Sequence, residues 1–266
     1  MRLHAIACDV LARPVYLGAA RSPHVVDVTL LRRGLHAEPL RLRERLQAEI
    51  DRAAEGNDGA PSPDAVVLAY GLCGGATAGL EARTVPVVLP RAHDCITLFL
   101  GSRERYATES AATPTYWYVR DQLERGSAGG TGAGGNDGAG VGAGLAADTD
   151  AQLGALRASY VANYGEDNAD YLMEVMGAWR AHYRRGAYVA LESDGDGPGV
   201  AGDAETAARA EAERRGWLFE RVEGDLVLVR RLLNGDWGDD VLVLRPGERL
   251  AMSYDDGVVK AVAAAG

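Results

Sequence analysis

Residues 65–75 read Ala-Val-Val-Leu-Ala-Tyr-Gly-Leu-Cys-Gly-Gly. The apolar run Ala65–Tyr70 is short and is stopped by glycine, so it reads as a buried strand of a parallel sheet. Cys73 follows at once. The same arrangement occurs twice more: Leu3–Ala7 runs into Cys8, and Val85–Leu89 is followed by Pro90-Arg-Ala-His93-Asp94-Cys95. These three cysteines are all the chain has. Open α/β sheets bind ligands beyond the carboxyl ends of their strands, where strand order reverses. Three thiols delivered to that edge predict a metal site.

Outward from these strands, His24–Leu31 alternates apolar and polar residues and reads as another strand. Pro39 opens an amphipathic helix over Leu40–Ala54, and Ile96–Tyr106 reads as a further helix. Thr113–Val119 reads as a fifth strand, its Tyr116, Trp117 and Tyr118 either alternating between core and surface or lining an alkylammonium pocket. Strands alternating with helices predict right-handed βαβ units. The expected fold is therefore α/β: a parallel, doubly wound, flavodoxin- or Rossmann-like sheet in the order 2-1-3-4-5, with a second β/α lobe.

Ser127–Gly144 is almost wholly small and polar and cannot bury enough surface to order itself. It divides the chain into an expected lobe over 1–125 carrying the cysteines, a disordered Gly-rich insertion over 126–149, and a helical segment plus second lobe over 150–266. That second lobe holds a helical Asp150–Tyr183, strands at Tyr188–Glu192, Trp217–Arg221 and Val241–Arg245, and helices at Asp203–Arg215 and Gly224–Leu233.

The 266 residues are 47% hydrophobic and 25% charged, with a net charge of −10. An acidic balance speaks against nucleic acid as a partner. No apolar run approaches the ~20 residues of a membrane helix, and Met1 leads straight into a strand without a signal-peptide h-region. The expectation is a cytoplasmic protein acting on a small molecule. Three cysteines there suit metal ligation or reactive thiols better than disulfides.

Thiolates suit zinc or an iron–sulfur cluster. Cys8, Cys73 and Cys95 are the candidate metal ligands. His93 and Asp94, beside Cys95, and Asp9, beside Cys8, are the candidate acid/base residues. Gly71, Gly74 and Gly75 leave room for a bound group to approach the backbone. If Cys73 and Cys95 open helices, the positive helix ends would lower their pKa values. His36 follows the second strand toward the same edge, and Gly235-Asp-Trp237-Gly-Asp-Asp240 is an acidic turn.

The stretches Ala7-Cys8, Leu35-His36 with Pro39, Tyr70-Gly-Leu-Cys73-Gly, Pro90-Arg-Ala-His93-Asp-Cys95, Leu100-Gly-Ser-Arg-Glu-Arg-Tyr106, Tyr164-Gly-Glu-Asp-Asn168, Gly224-Asp-Leu and Gly235-Asp-Trp237 resemble a bacterial and archaeal family, domain of unknown function 1638. The resemblance spans nearly the whole chain apart from the glycine tract. It implies a gene neighbourhood of corrinoid-dependent, methylamine-type methyltransferases, hence one-carbon metabolism and a corrinoid methyltransferase system as partner. Locally, Cys73-Gly-Gly75 is similar to the His-x-x-Cys-Gly-Gly run of β-class carbonic anhydrases. Tyr70 stands where that histidine would be, so the similarity implies a thiolate zinc site without the activity.

The leading functional expectation is a zinc enzyme of group transfer, methyl transfer included, with an open coordination position. The alternatives are a [4Fe-4S] lyase, dehydratase or desulfurase with three cysteine ligands, and a metal or cofactor carrier for the methyltransferase system.

Overall fold

The computed structural model of the protein describes residues 1–33, 35, 39–56 and 61–127, scattered positions between 157 and 170, and residues 183–192, 201–255 and 257–264. The expected insertion from 128 onward, most of the expected helix over Asp150–Tyr183, and His36 lie outside the described residues. The chain divides into two compact units, residues 1–107 with 223–266, and residues 108–222.

The first unit is built on a five-stranded sheet. Its strands are β1 (Arg2–Cys8), β2 (Val25–Leu31), β3 (Ala65–Ala69), β5 (Val87–Pro90) and β9 (Val241–Leu244), in the order β2-β1-β3-β5-β9. The first four are mutually parallel, and β9 runs antiparallel to β5. All of β3 and β5 is buried, which is why neither shows a polar alternation in the sequence. Helix α1 (Ala12–Arg21) links β1 to β2, and α2 (Pro39–Glu55) links β2 to β3. The Leu42, Leu46 and Ile50 stripe of α2 packs into one core with Ile6, Val66, Leu68, Val87 and Leu89. Helix α7 (Val227–Asn234) lies against α1 at Gly18, where a Cβ would meet Leu233 Cδ1 at 2.7 Å.

The architecture is mixed α/β with a parallel sheet, and it departs from the expected one in four places. The fifth position beside β5 is taken by β9, not by Thr113–Val119. Antiparallel pairing needs no crossover helix, so the turn after α7 can feed β9 in directly. For that reason residues 223–266 cluster with 1–107, whereas the sequence reading put them in the second lobe over 150–266. A second sheet, β4 (Glu81–Ala82), β10 (Glu248–Met252) and β11 (Val259–Ala263), is antiparallel; none of its strands had a counterpart in the sequence reading. Finally, the single helix expected over Ile96–Tyr106 is two, α3 (Cys95–Leu100) and α4 (Arg103–Ala112). Gly101 separates them at φ 77°, and a Cβ there would meet the Asp225 carbonyl at 2.7 Å.

The second unit carries β6 (Thr115–Tyr118), β7 (Arg185–Ala190) and β8 (Leu218–Glu223), in the order β6-β7-β8, with α5 (Arg120–Ser127) and α6 (Ala201–Arg214). Tyr116, Trp117 and Tyr118 are all buried, so the expected core-and-surface alternation does not occur. The Tyr116 ring lies 4.9 Å from Tyr118 and 5.5 Å from both Tyr183 and Trp217, packed among aromatics. Trp117 sits under the Arg185 guanidinium, which pairs with Glu109 and Glu220. No helix among the described residues is long and apolar enough to cross a membrane.

Candidate functional site

The three cysteines all lie at or just beyond the carboxyl ends of parallel strands. Cys8 is the last residue of β1, Cys73 lies in the turn after β3, and Cys95 opens α3 after β5. The loops after β3 and β5 continue to pair past the strand ends. Leu72 N–H donates to the Ala92 carbonyl at 2.8 Å, and Cys73 N–H to the His93 carbonyl at 2.9 Å. Gly71 permits this approach, because a Cβ on it would lie 2.6 Å from both Cα and N of Asp94.

Cys73 itself has φ 47°, in the left-handed region that an L residue pays for and glycine does not. Gly74 and Gly75 continue in positive φ. The turn is held by Gly75 N–H on the Leu72 carbonyl at 3.0 Å and by Arg43 of α2, whose guanidinium donates to the Gly75 and Ala76 carbonyls. Backbone strain of this kind concentrates at functional positions.

Asp94 is the N-cap of α3. Its Oδ1 accepts from the N–H groups of Ile96 (2.9 Å) and Thr97 (3.3 Å), as an N-cap carboxylate should. Its Oδ2 accepts from the Tyr106 hydroxyl at 2.7 Å. Burial holds this carboxyl above the usual carboxylate range, against the pull of Tyr106 and the two N–H groups. His93 is exposed, and its ring stacks on Tyr106 with centroids 6.2 Å apart. Asp9 follows Cys8 into a short 3₁₀ turn, and its Oδ1 accepts from Arg33 N–H at 2.9 Å, tying the end of β1 to the loop after β2.

The thiols are free and half-buried. Burial pushes those of Cys8 and Cys73 up to about 12 and that of Cys95 well above the ordinary thiol value. The expectation of thiols activated at helix ends is thus corrected. Cys73 opens only a kinked 3₁₀ turn and Cys95 a six-residue helix, and burial dominates. The thiols also act on one another: charge on Cys8 raises Cys73, and charges on Asp94, Cys73 and Cys8 raise Cys95. Tyr70, directly after β3, feels all three thiols and Asp9, although burial is the main reason its phenol is raised. Among the described residues, no three His, Cys, Asp or Glu side chains already stand in a geometry that could hold a metal ion.

Other sequence candidates have structural duties. In the acidic turn, Asp240 pairs with Arg231 at 2.8 Å and with Arg103 at 3.6 Å, so its charge is spent on arginines. Arg91 donates to the Gly257 and Val259 carbonyls, joining the Cys95 loop to the turn before β11. Three residues that touch the site escaped the sequence reading: Tyr70, Tyr106 and Arg43. Tyr70 and Tyr106 fall inside stretches that carry the family resemblance, which was the available signal. Arg43 had none, being one of many arginines on an amphipathic helix.

Comparison with known families matches residues 30–233 to the family described as Protein of unknown function (DUF1638). No curated protein and no solved structure matches the chain.

Proposed function

The chain belongs to this family of unknown function, and we propose from its own residues that it is a metal-dependent enzyme of group transfer, with Cys8, Cys73 and Cys95 as the ligands of a soft metal, zinc first. The observation that carries the reading is that the three cysteines lie at or just past the carboxyl ends of three adjacent parallel strands, and that the loops leading to Cys73 and Cys95 pair backbone to backbone. A doubly wound arrangement gives that edge its meaning. Helices α1 and α2 lead from β1 outward and back across it, and right-handed crossovers would set them on opposite faces, with the ligand crevice at β1 and β3.

Zinc held by three thiolates would keep a fourth position open and act there as a Lewis acid toward a substrate thiol or water. The chain supplies the rest. Thiols with raised pKa are protonated near neutral pH, so ligation of a cation would displace their protons to solvent. The open backbone at Gly74, where a Cβ would meet nothing within 4 Å, leaves a path for a small substrate. Asp94, steadied by Tyr106, and the exposed His93 stand at the rim as proton acceptor and shuttle, and Asp9 flanks Cys8. Methyl is the group that the implied corrinoid methyltransferase system would pass on.

The test is metal analysis of the purified full chain, with an absorption spectrum. One zinc per chain, lost in each of Cys8→Ser, Cys73→Ser and Cys95→Ser, supports the reading; zinc retained at wild-type level in two of these variants ends it. Three cysteines without a fourth also suit a [4Fe-4S] cluster with one open iron, and a broad band near roughly 400 nm, where thiolate-bound clusters absorb, would select it. Stoichiometric metal that is handed to an acceptor protein without turnover would make the chain a carrier.

A further inference from the structure

Strands β1 and β2 line a polar recess that plays no part in the metal reading. Side chains alternate along a strand, so Arg2 and His4 share one face of β1. Asp27 and Thr29 of β2 join them there, with His4 standing opposite Asp27 in the register. Ile6, next on that face, packs with the Leu42, Leu46 and Ile50 stripe of α2. Where α2 ends, a recess of about 240 Å³ opens, walled by those four polar side chains and by Ala53, Pro61 and Pro63. His4 comes four residues before Cys8, roughly 13 Å along the strand at about 3.3 Å per residue, so the recess is separate from the cysteine edge.

The polar groups of this recess are only half used. Arg2 Nη2 donates to Asp27 Oδ2 at 2.8 Å, and His4 Nε2 lies 2.9 Å from Thr29 Oγ1. Among the described residues, no hydrogen bond reaches Asp27 Oδ1 or His4 Nδ1, and Arg2 Nε and Nη1 donate to no acceptor. His4 is only 8% exposed, and polar atoms so buried ordinarily have partners. Burial, the largest influence on its imidazole, holds the pKa below the ordinary histidine value, so the ring is neutral near pH 7. Arg2 and Asp27 cancel each other, and Glu49, which also acts on His4, is paired with Arg45 and Arg52. A charged ligand would find no countercharge left, and burying it unpaired is costly. What remains is a donor, Arg2, beside an acceptor, Asp27 Oδ1. That is the complement of an amide edge, whose carbonyl accepts and whose N–H donates. The volume falls below the roughly 300–1,000 Å³ of pockets for drug-sized ligands and suits a single ring.

We infer that this recess binds a small uncharged heterocycle carrying an amide, with its carbonyl on Arg2, its N–H on Asp27 and its flat face against Ala53, Pro61 and Pro63. His4 Nδ1 is the third polar contact. The amide belongs either to the ring, as in a pyrimidine lactam, or to a substituent on it, as in a pyridine carboxamide. This binding is independent of the metal.

The experiment is calorimetric titration of the full chain with uracil, with nicotinamide and with benzoate, a charged ring of similar size. Asp27→Asn and Arg2→Gln are melted and then titrated with the same three. A half-exposed ion pair contributes little to stability, so both variants should melt within a few degrees of wild type; if one does not fold, the other decides. We expect wild type to bind at least one amide and not benzoate, the tighter amide telling ring lactam from substituent. Each substitution should weaken that amide about tenfold or more, as for a hydrogen bond to a charged group. Asp27→Asn leaves the Arg2 charge uncompensated and should now admit benzoate, whereas Arg2→Gln should not. Failure of wild type to bind either amide at up to about 10 mM overturns the inference. So does benzoate bound by wild type as tightly as the amide, or amide affinity unchanged in the folded variants, which would put the ligand elsewhere.

Discussion

Replacing Cys73 by glycine separates what this residue does for the fold from what it does for the site. At φ 47° an L side chain costs roughly 1–2 kcal/mol relative to its usual conformations, and glycine removes that cost. Against the gain stand the extra chain entropy glycine loses on folding, roughly 0.5–1 kcal/mol, and the burial of a half-exposed thiol, roughly 1 kcal/mol. The terms nearly cancel. Cys73→Gly should therefore unfold within about 1 kcal/mol of wild type, a midpoint shift of no more than about 4 °C for a chain this long. Cys8→Gly has no strain to relieve at the end of a buried strand, and should cost about 2 kcal/mol from the lost side chain and the freed backbone. Urea unfolding in chelator, followed by circular dichroism, gives both values, and metal content is measured on the same samples. We expect Cys73→Gly to keep its stability and lose its metal. A loss of 2 kcal/mol or more, or full metal content, would refute the reasoning: the first would make the thiol a packing residue, the second would remove it from the ligands.

Gly71→Ala should be far worse than Gly74→Ala. The first puts a Cβ 2.6 Å from the Asp94 backbone and should cost more than about 2 kcal/mol by prising the two loops apart, while the second meets no atom and should cost only the left-handed penalty of about 1 kcal/mol; thermal melts of both variants check the order. Tyr106→Phe removes the hydroxyl from Asp94 Oδ2 and should cost about 1–2 kcal/mol, while metal stoichiometry stays at the wild-type value because Tyr106 is not among the proposed ligands. For pH, the native state holds protons on Cys8 and Cys73 up to about 12, whereas the unfolded chain releases them near the ordinary thiol value of about 8.5. Between these values the unfolded state binds fewer protons, so metal-free stability is full below about pH 8.5 and falls as pH rises toward 12; urea midpoints should show this slope, and Cys8→Ala/Cys73→Ala should flatten it. Zinc added at about pH 7.5 should release about three protons per ion taken up, read by calorimetry in buffers of different ionisation enthalpy.

Much of the first unit was legible because β3 and β5 are continuous apolar runs, β2 alternates apolar and polar residues, and the α2 stripe recurs every four residues. The cysteines fall at or past the strand ends for the same reason, since each sits where an apolar run stops: at Cys8 itself, at Gly71, and at Pro90. What escaped was non-local. Nothing in Val241–Leu244 says that it lies beside Val87–Pro90, and nothing in Thr115–Tyr118 says that it pairs instead with Arg185–Ala190. Short strands such as β4 and β10 have too few residues to show a period. The break at Gly101 is enforced by the Asp225 backbone, a neighbour 124 positions away. Cys73 at φ 47° is also a fact of geometry that residue type cannot announce.

The closing of β5 by β9 has a consequence for biosynthesis. The ribosome makes β5 early and β9 only after residue 240, with the whole of 108–222 in between. At roughly 5–20 residues per second, the β5 edge waits on the order of ten seconds with its amides and carbonyls unclaimed. An apolar strand edge in that state is a template for other nascent chains, and Val87-Val-Leu-Pro90 is apolar throughout. Yield in a cell should accordingly depend on elongation speed and chaperone supply more than on the final stability of the folded protein.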